Sequence, residues 1–165
     1  MASKPNNPKL PEGFQSPFNR VPMEDRNSDS LACVATLTGR SLADVQKLAV
    51  QLGLPAYGPY FVDGAMIAKM LMNLSGLVAT NYKEFTSYAA LPDVALLLVD
   101  YDENTELGRH MVWHHVRANG GLQSFSYLID VADWIDPKDH ITTALTDFEP
   151  AYYIEVTQRP AAKGK

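Results

Sequence analysis

Among these 165 residues, the one whose chemistry is most distinctive is the single cysteine, Cys33. One thiol cannot form an internal disulfide, and alone it cannot supply the several close-set ligands that a structural zinc ion requires. Two roles are left for it, a small buried hydrophobe or a nucleophile. The run Asn27-Ser28-Asp29-Ser30 offers several N-caps just upstream. With Ser30 as the cap, Cys33 falls in the first helical turn, where free N–H groups and the positive end of the helix dipole favour a thiolate. A thiolate nucleophile needs an imidazole, and the imidazole needs an orienting group. Three of the four histidines, His110, His114 and His115, lie on one expected strand. His110 and His114 share a face and His115 points away. A turn at Ala118-Asn119-Gly120-Gly121 folds that strand back and brings Asp130 near His110, where a carboxylate would hold the imidazole tautomer. Each residue also has a plainer reading, since a strand histidine is often only half-buried and satisfied, and Asp130 could simply end its strand.

The elements that would position these groups are legible as a change of period. Leu31 to Thr38 reads as a helix stopped by Gly39. Ser41 caps a second helix, with Leu42, Val45, Leu48, Ala49 and Leu52 at helical spacing up to Gly53. Asp63 opens a third, whose stripe of Met66, Ile67, Met70, Leu71 and Leu74 reads as core, closed by Gly76. Short apolar runs follow at Leu77 to Thr80, Val94 to Val99, His110 to Val116, Phe125 to Ile129 and Tyr152 to Val156. Helices followed by a largely antiparallel sheet make an α+β fold. Residues 1–22, rich in proline, read as an extended lead-in draped on the domain through Phe14 and Phe18. Residues 23–158 form the domain, and 159–165 are a polar tail.

Composition limits the function classes. Hydrophobic residues at 46% and charged residues at 20% suit a globular core, and the formal net charge of −5 speaks against nucleic-acid binding. No apolar run approaches the ~18 residues of a membrane span, and the first residues carry no apolar signal-peptide core. A metal hydrolase built on His110 and His114 is disfavoured, because i and i+4 on a strand lie ~13 Å apart. No metal and no cofactor is expected. His140 reads as loop polarity, while Trp113 and Trp134 are either cleft walls or packing.

The order of helix-borne Cys, two further helices, then a sheet with His and Asp resembles a papain-like cysteine peptidase. The pieces closest to the double-glycine (bacteriocin-processing) peptidase family are S-L-A-C-V-A-T-L-T-G-R-S at 30–41, S-L-A-D-V-Q-K-L-A at 41–49, A-L-L-L-V-D at 95–100, G-R-H-M-V-W at 108–113 and Y-L-I-D at 127–130. The interval from Cys33 to His110 is also similar. The resemblance spans roughly residues 25–157. It implies a papain-like fold with its nucleophile on the first helix and a cysteine-dependent hydrolase acting on an amide bond of a protein or peptide, as a peptidase of a bacterial or phage protein. Cys33 would attack the carbonyl, His110 would move the proton, and Asp130 would orient His110. Asn27 stands where that family has an oxyanion-hole Gln. Asp136, in the Asp136-Pro137 dipeptide that the family pattern favours, is the alternative acid. The chain departs from the family at Ala32-Cys33-Val34, in place of Asp-Cys-Gly, and at Asn27. These departures motivate the alternatives: a catalytically weak or inactive papain-like effector or binding module, or a deamidase or cell-wall amidase using the same triad. The expected setting is the cytoplasm, or delivery by a secretion system without a cleaved signal.

Overall fold

The computed structural model describes residues 10–25, 27–57 and 60–158. The polar tail 159–165 and the first part of the lead-in lie outside the described residues. Three helices come first: α1 (Asp29–Thr38), α2 (Leu42–Gln51) and α3 (Gly64–Ser75). Strands β1 (Leu77–Ala79), β2 (Lys83–Glu84), β3 (Val94–Asp102), β4 (Leu107–Val116), β5 (Phe125–Asp130), β6 (Ile141–Thr142) and β7 (Tyr152–Gln158) follow. They form an open sheet in the order β1-β7-β3-β4-β5-β6, with β2 also paired to β7, and every pairing is antiparallel. The α+β architecture is therefore as expected. The two-residue strands β2 and β6 are additions that no run of apolar residues announces.

Helix ends follow their capping chemistry. Ser41 and Asp63 each accept a hydrogen bond from the N–H three residues on, at Asp44 (3.1 Å) and Met66 (2.8 Å). Gly39 and Gly76 end α1 and α3 in the left-handed conformation. Asp63→Ala removes the cap of α3 and is expected to cost about 1 kcal/mol in urea unfolding. Helix α1 differs from the other two in that every residue from Asp29 to Leu37 is buried. Its small side chains, Ala32, Cys33 and Ala35, let the other helices and the sheet approach it closely from several sides.

The sheet carries a core on each face. Leu96, Val112, Tyr127, Ile129 and Ile154 pack beneath the helices, while Leu97, Val99, Met111, Trp113 and Leu128 form a second cluster on the far face. Tyr88, Leu91, Leu145 and Phe148 from short turns cover that second cluster. Double-sided burial explains why β3 reads as an unbroken apolar run instead of an alternation. Trp113 belongs to this second core, its indole N–H donating to the Pro92 carbonyl at 2.8 Å, and Trp134 is exposed. In the described part of the lead-in, Phe14 lies edge-on to Phe125 and Phe18 edge-on to His114. This segment is also tied by polar contacts, from Ser16 to the Tyr127 hydroxyl (2.6 Å) and from Arg20 to the carbonyls of Asp130 and Ala132 (2.6 Å each). Among the described residues no helix is long and apolar enough to cross a membrane.

Candidate functional site

A cavity of about 290 Å³ opens where the start of α1 meets the sheet. Its floor is one row of side chains on the helix-facing side of three adjacent strands. Tyr152 on β7 pairs with Leu98 on β3, and Leu98 pairs with His110 on β4. Asn27, Asp29 and Ser30 at the head of α1 form one wall. Tyr60 and Phe61 before α3, with Tyr82 between β1 and β2, form another. The β3–β4 hairpin closes the third side with Tyr101, Glu106 and Leu107. The hairpin is tight at its base: a Cβ on Gly108 would lie 2.7 Å from the Val99 carbonyl oxygen, so only glycine fits there.

The polar centre of this cavity is Asp29, His110 and Tyr82. Asp29 Oδ2 accepts from both the backbone N–H and Nδ1 of His110, at 2.8 Å each. The Tyr82 hydroxyl lies 2.7 Å from His110 Nε2. With Asp29 as the acceptor, Nδ1 carries the hydrogen, and the Tyr82 hydroxyl, which can donate or accept, meets Nε2, so both ring nitrogens have partners. Burial by itself would push the Asp29 carboxyl up. The hydrogen bonds and charge of His110, with the Ser30 N–H, outweigh it and hold the carboxyl below its ordinary value. Burial raises the Tyr82 phenol, and the Asp29 charge raises it further, which keeps it protonated.

This arrangement corrects the expected Cys–His pairing. Helix α1 begins at Asp29 with Ser28 as its N-cap, so Cys33 is the fifth helical residue and lies past the free N–H groups of the first turn. The Ser28 hydroxyl accepts instead from Glu24 and Asp25, fixing the entry to the helix two residues earlier than a Ser30 cap would. Cys33 is 0% exposed. Burial pushes its thiol well above the ordinary value, the Asp29 and Asp130 carboxylates push the same way, and Arg109 opposes them. Both ring nitrogens of His110 are engaged by Asp29 and Tyr82, so neither is left for the thiol.

The expected His110–Asp130 contact is corrected as well. Asp130 stands opposite Met111, not His110, so the pleat sends its side chain to the far face of the sheet. There Asp130 Oδ1 takes a bond from Arg109 at 2.6 Å and one from the Ala132 N–H at 3.1 Å. Arg109 also reaches Asp100 at 2.7 Å. Asp130 is 1% exposed, and among the described residues its Oδ2 has no hydrogen-bond partner. The alternative acid, Asp136, is exposed at the head of a short turn, with its nearest cation Lys138 at 3.9 Å. Asn27 does line the cavity, as an exposed residue whose N–H is held by the Asp25 carboxylate. His114 bonds the Tyr127 hydroxyl and His115 the Ser126 hydroxyl. His140 is not bare loop polarity: its ring lies 3.1 Å from the Ile135 carbonyl, and its own carbonyl accepts from the Asp130 N–H. No group of three or more His, Cys, Asp or Glu side chains that could hold a metal occurs among the described residues.

Sequence reasoning missed Asp29, Tyr82 and the ring of aromatics. Asp29 was visible only as one of four candidate caps, yet it precedes Cys33 by one helical turn and therefore lies on the same helix face. The tyrosines are scattered through loops and strand ends, where no periodicity gathers them. No protein-family model matches the chain, and no curated protein shows significant similarity to it.

Proposed function

We propose that this protein is a papain-like recognition module in which the cleft between the first helix and the sheet binds a segment of a protein or peptide without thiol chemistry. One observation carries the reading: the side chain that meets His110 from the start of α1 is the carboxylate of Asp29, and the only thiol is buried one turn further in. A carboxylate fixed by two hydrogen bonds from its histidine is a poor substitute for a thiolate in covalent attack on an amide. A macromolecular occupant is supported by the apolar rim, where Phe61 is 67% and Leu107 58% exposed beside the opening.

The test is alkylation of Cys33 by iodoacetamide, followed by intact mass near neutral pH. The folded protein is expected to stay unmodified and the urea-unfolded protein to react fully. Rapid alkylation of the folded protein, with an apparent pKa below the ~8.5 of a free thiol and a return towards it in His110→Ala, would restore the cysteine hydrolase and sink the recognition module.

A further inference from the structure

We infer that the cavity selects a basic side chain, the ammonium of lysine or the guanidinium of arginine, presented by the bound segment. This deepens the recognition reading and rests on it. Five aromatic rings line the cavity: Tyr60, Phe61, Tyr82, Tyr101 and Tyr152. Three of these and His110 form a continuous series of ring contacts. Tyr82 lies 6.1 Å from His110 and 6.5 Å from Tyr152, and Tyr152 lies 5.4 Å from Tyr101, the last two pairs edge to face. Ring faces around a cavity are electron-rich and attract a cation, most strongly where water is excluded.

Charge points the same way. Asp29 contributes a carboxylate at the base and Glu106 a second at the rim, while no Lys or Arg occurs among the described lining residues. Glu106 has a left-handed backbone, φ 56°, which a glutamate adopts rarely, at the mouth of the cavity. The volume of about 290 Å³ lies at the small end of ligand pockets, suited to one extended side chain and not to a nucleotide or a folded element. An extended stem also suits the shape, since its methylenes can lie against Leu98 and the ring edges while the charge reaches the carboxylate.

The experiment compares Nα-acetyl-lysine N-methylamide with its norleucine counterpart, which has a methyl group in place of the ammonium, by calorimetric titration of the full chain. The arginine analogue and n-butylammonium are run alongside. The lysine compound is expected to bind about tenfold more tightly than the norleucine compound. Glu106→Gln and Tyr101→Leu, checked for unchanged thermal unfolding, are each expected to remove a threefold or larger part of that preference, on the order expected for one charge or ring at a partly exposed site. Butylammonium binding as tightly as the lysine compound would assign the site to free amines instead of peptide side chains. Equal binding of lysine and norleucine compounds, or a preference untouched in both variants, overturns the cation assignment and leaves the recognition module standing. Cys33-dependent hydrolysis of a lysyl p-nitroanilide would overturn the recognition module whatever the side-chain preference.

Discussion

Arg109→Met is expected to lower the unfolding free energy by about 4 kcal/mol, the range for breaking one side of a buried ion pair. The loss arises less from the missing attraction than from what remains. Asp130 is buried on the far face of the sheet, its Oδ2 already lacks a partner among the described residues, and Arg109 is the cation that meets its other oxygen. Without that guanidinium, the buried carboxylate would keep only the Ala132 N–H as a direct partner, with the Arg20 guanidinium acting on it at longer range. The second variant, Arg109→Met with Asp130→Asn, separates the causes. An amide keeps an acceptor for Ala132 and carries no charge, so most of the lost stability is expected to return. Urea unfolding with an unchanged m-value reads both. A single variant that costs under about 1 kcal/mol would show that the pair behaves as a surface salt bridge.

Asp29→Ala is the second large expected effect, about 3 kcal/mol of destabilisation, because it strips the acceptor from two buried donors of His110 at once. Asp29→Asn retains an acceptor oxygen and is expected to cost distinctly less. The pH dependence follows from the direction of the carboxyl shift. The folded-state pKa is held below the ordinary 3.8, so the unfolded chain takes up the proton first as pH falls. This carboxylate's contribution is therefore complete above the unfolded value and lost as pH falls through the folded one. The stability gap between wild type and Asp29→Ala should be widest near neutral pH and should narrow below about pH 4. A gap that stayed constant down to the acid transition would mean that Asp29 is not ionised in the folded protein.

The legible and illegible parts of the molecule divide along physical lines. Helix bounds other than the start of α1 were readable because caps are local: Ser41, Asp63, Gly39 and Gly76 each act within one turn of their own position. The long strands were readable because burial on both faces demands apolar runs. Side-chain partnerships were not, because each depends on a shift of one or two residues. A helix that starts at Asp29 in place of Leu31 moves Cys33 out of the first turn, and a hairpin that sets Met111 against Asp130 moves the carboxylate through the sheet. The cavity wall is harder still, since Tyr60, Tyr82, Tyr101 and Tyr152 meet only through the tertiary arrangement of loops and strand ends.

The arm that ties Ser16 and Arg20 to β5 and the residues after it has a consequence for the order of folding. Its contacts join residues 110 to 112 positions apart, and the Asp29–His110 bond spans 81. During synthesis from the N-terminus, the arm and α1 leave the ribosome long before β4 and β5 exist, so their buried polar groups must wait in water for partners. The three helices can form early from local signals, but the closing of loops this long comes at a high entropic cost and belongs to a late, slow step. The arm is thus among the last segments to be fastened, and the cavity is completed only when the sheet arrives to meet α1.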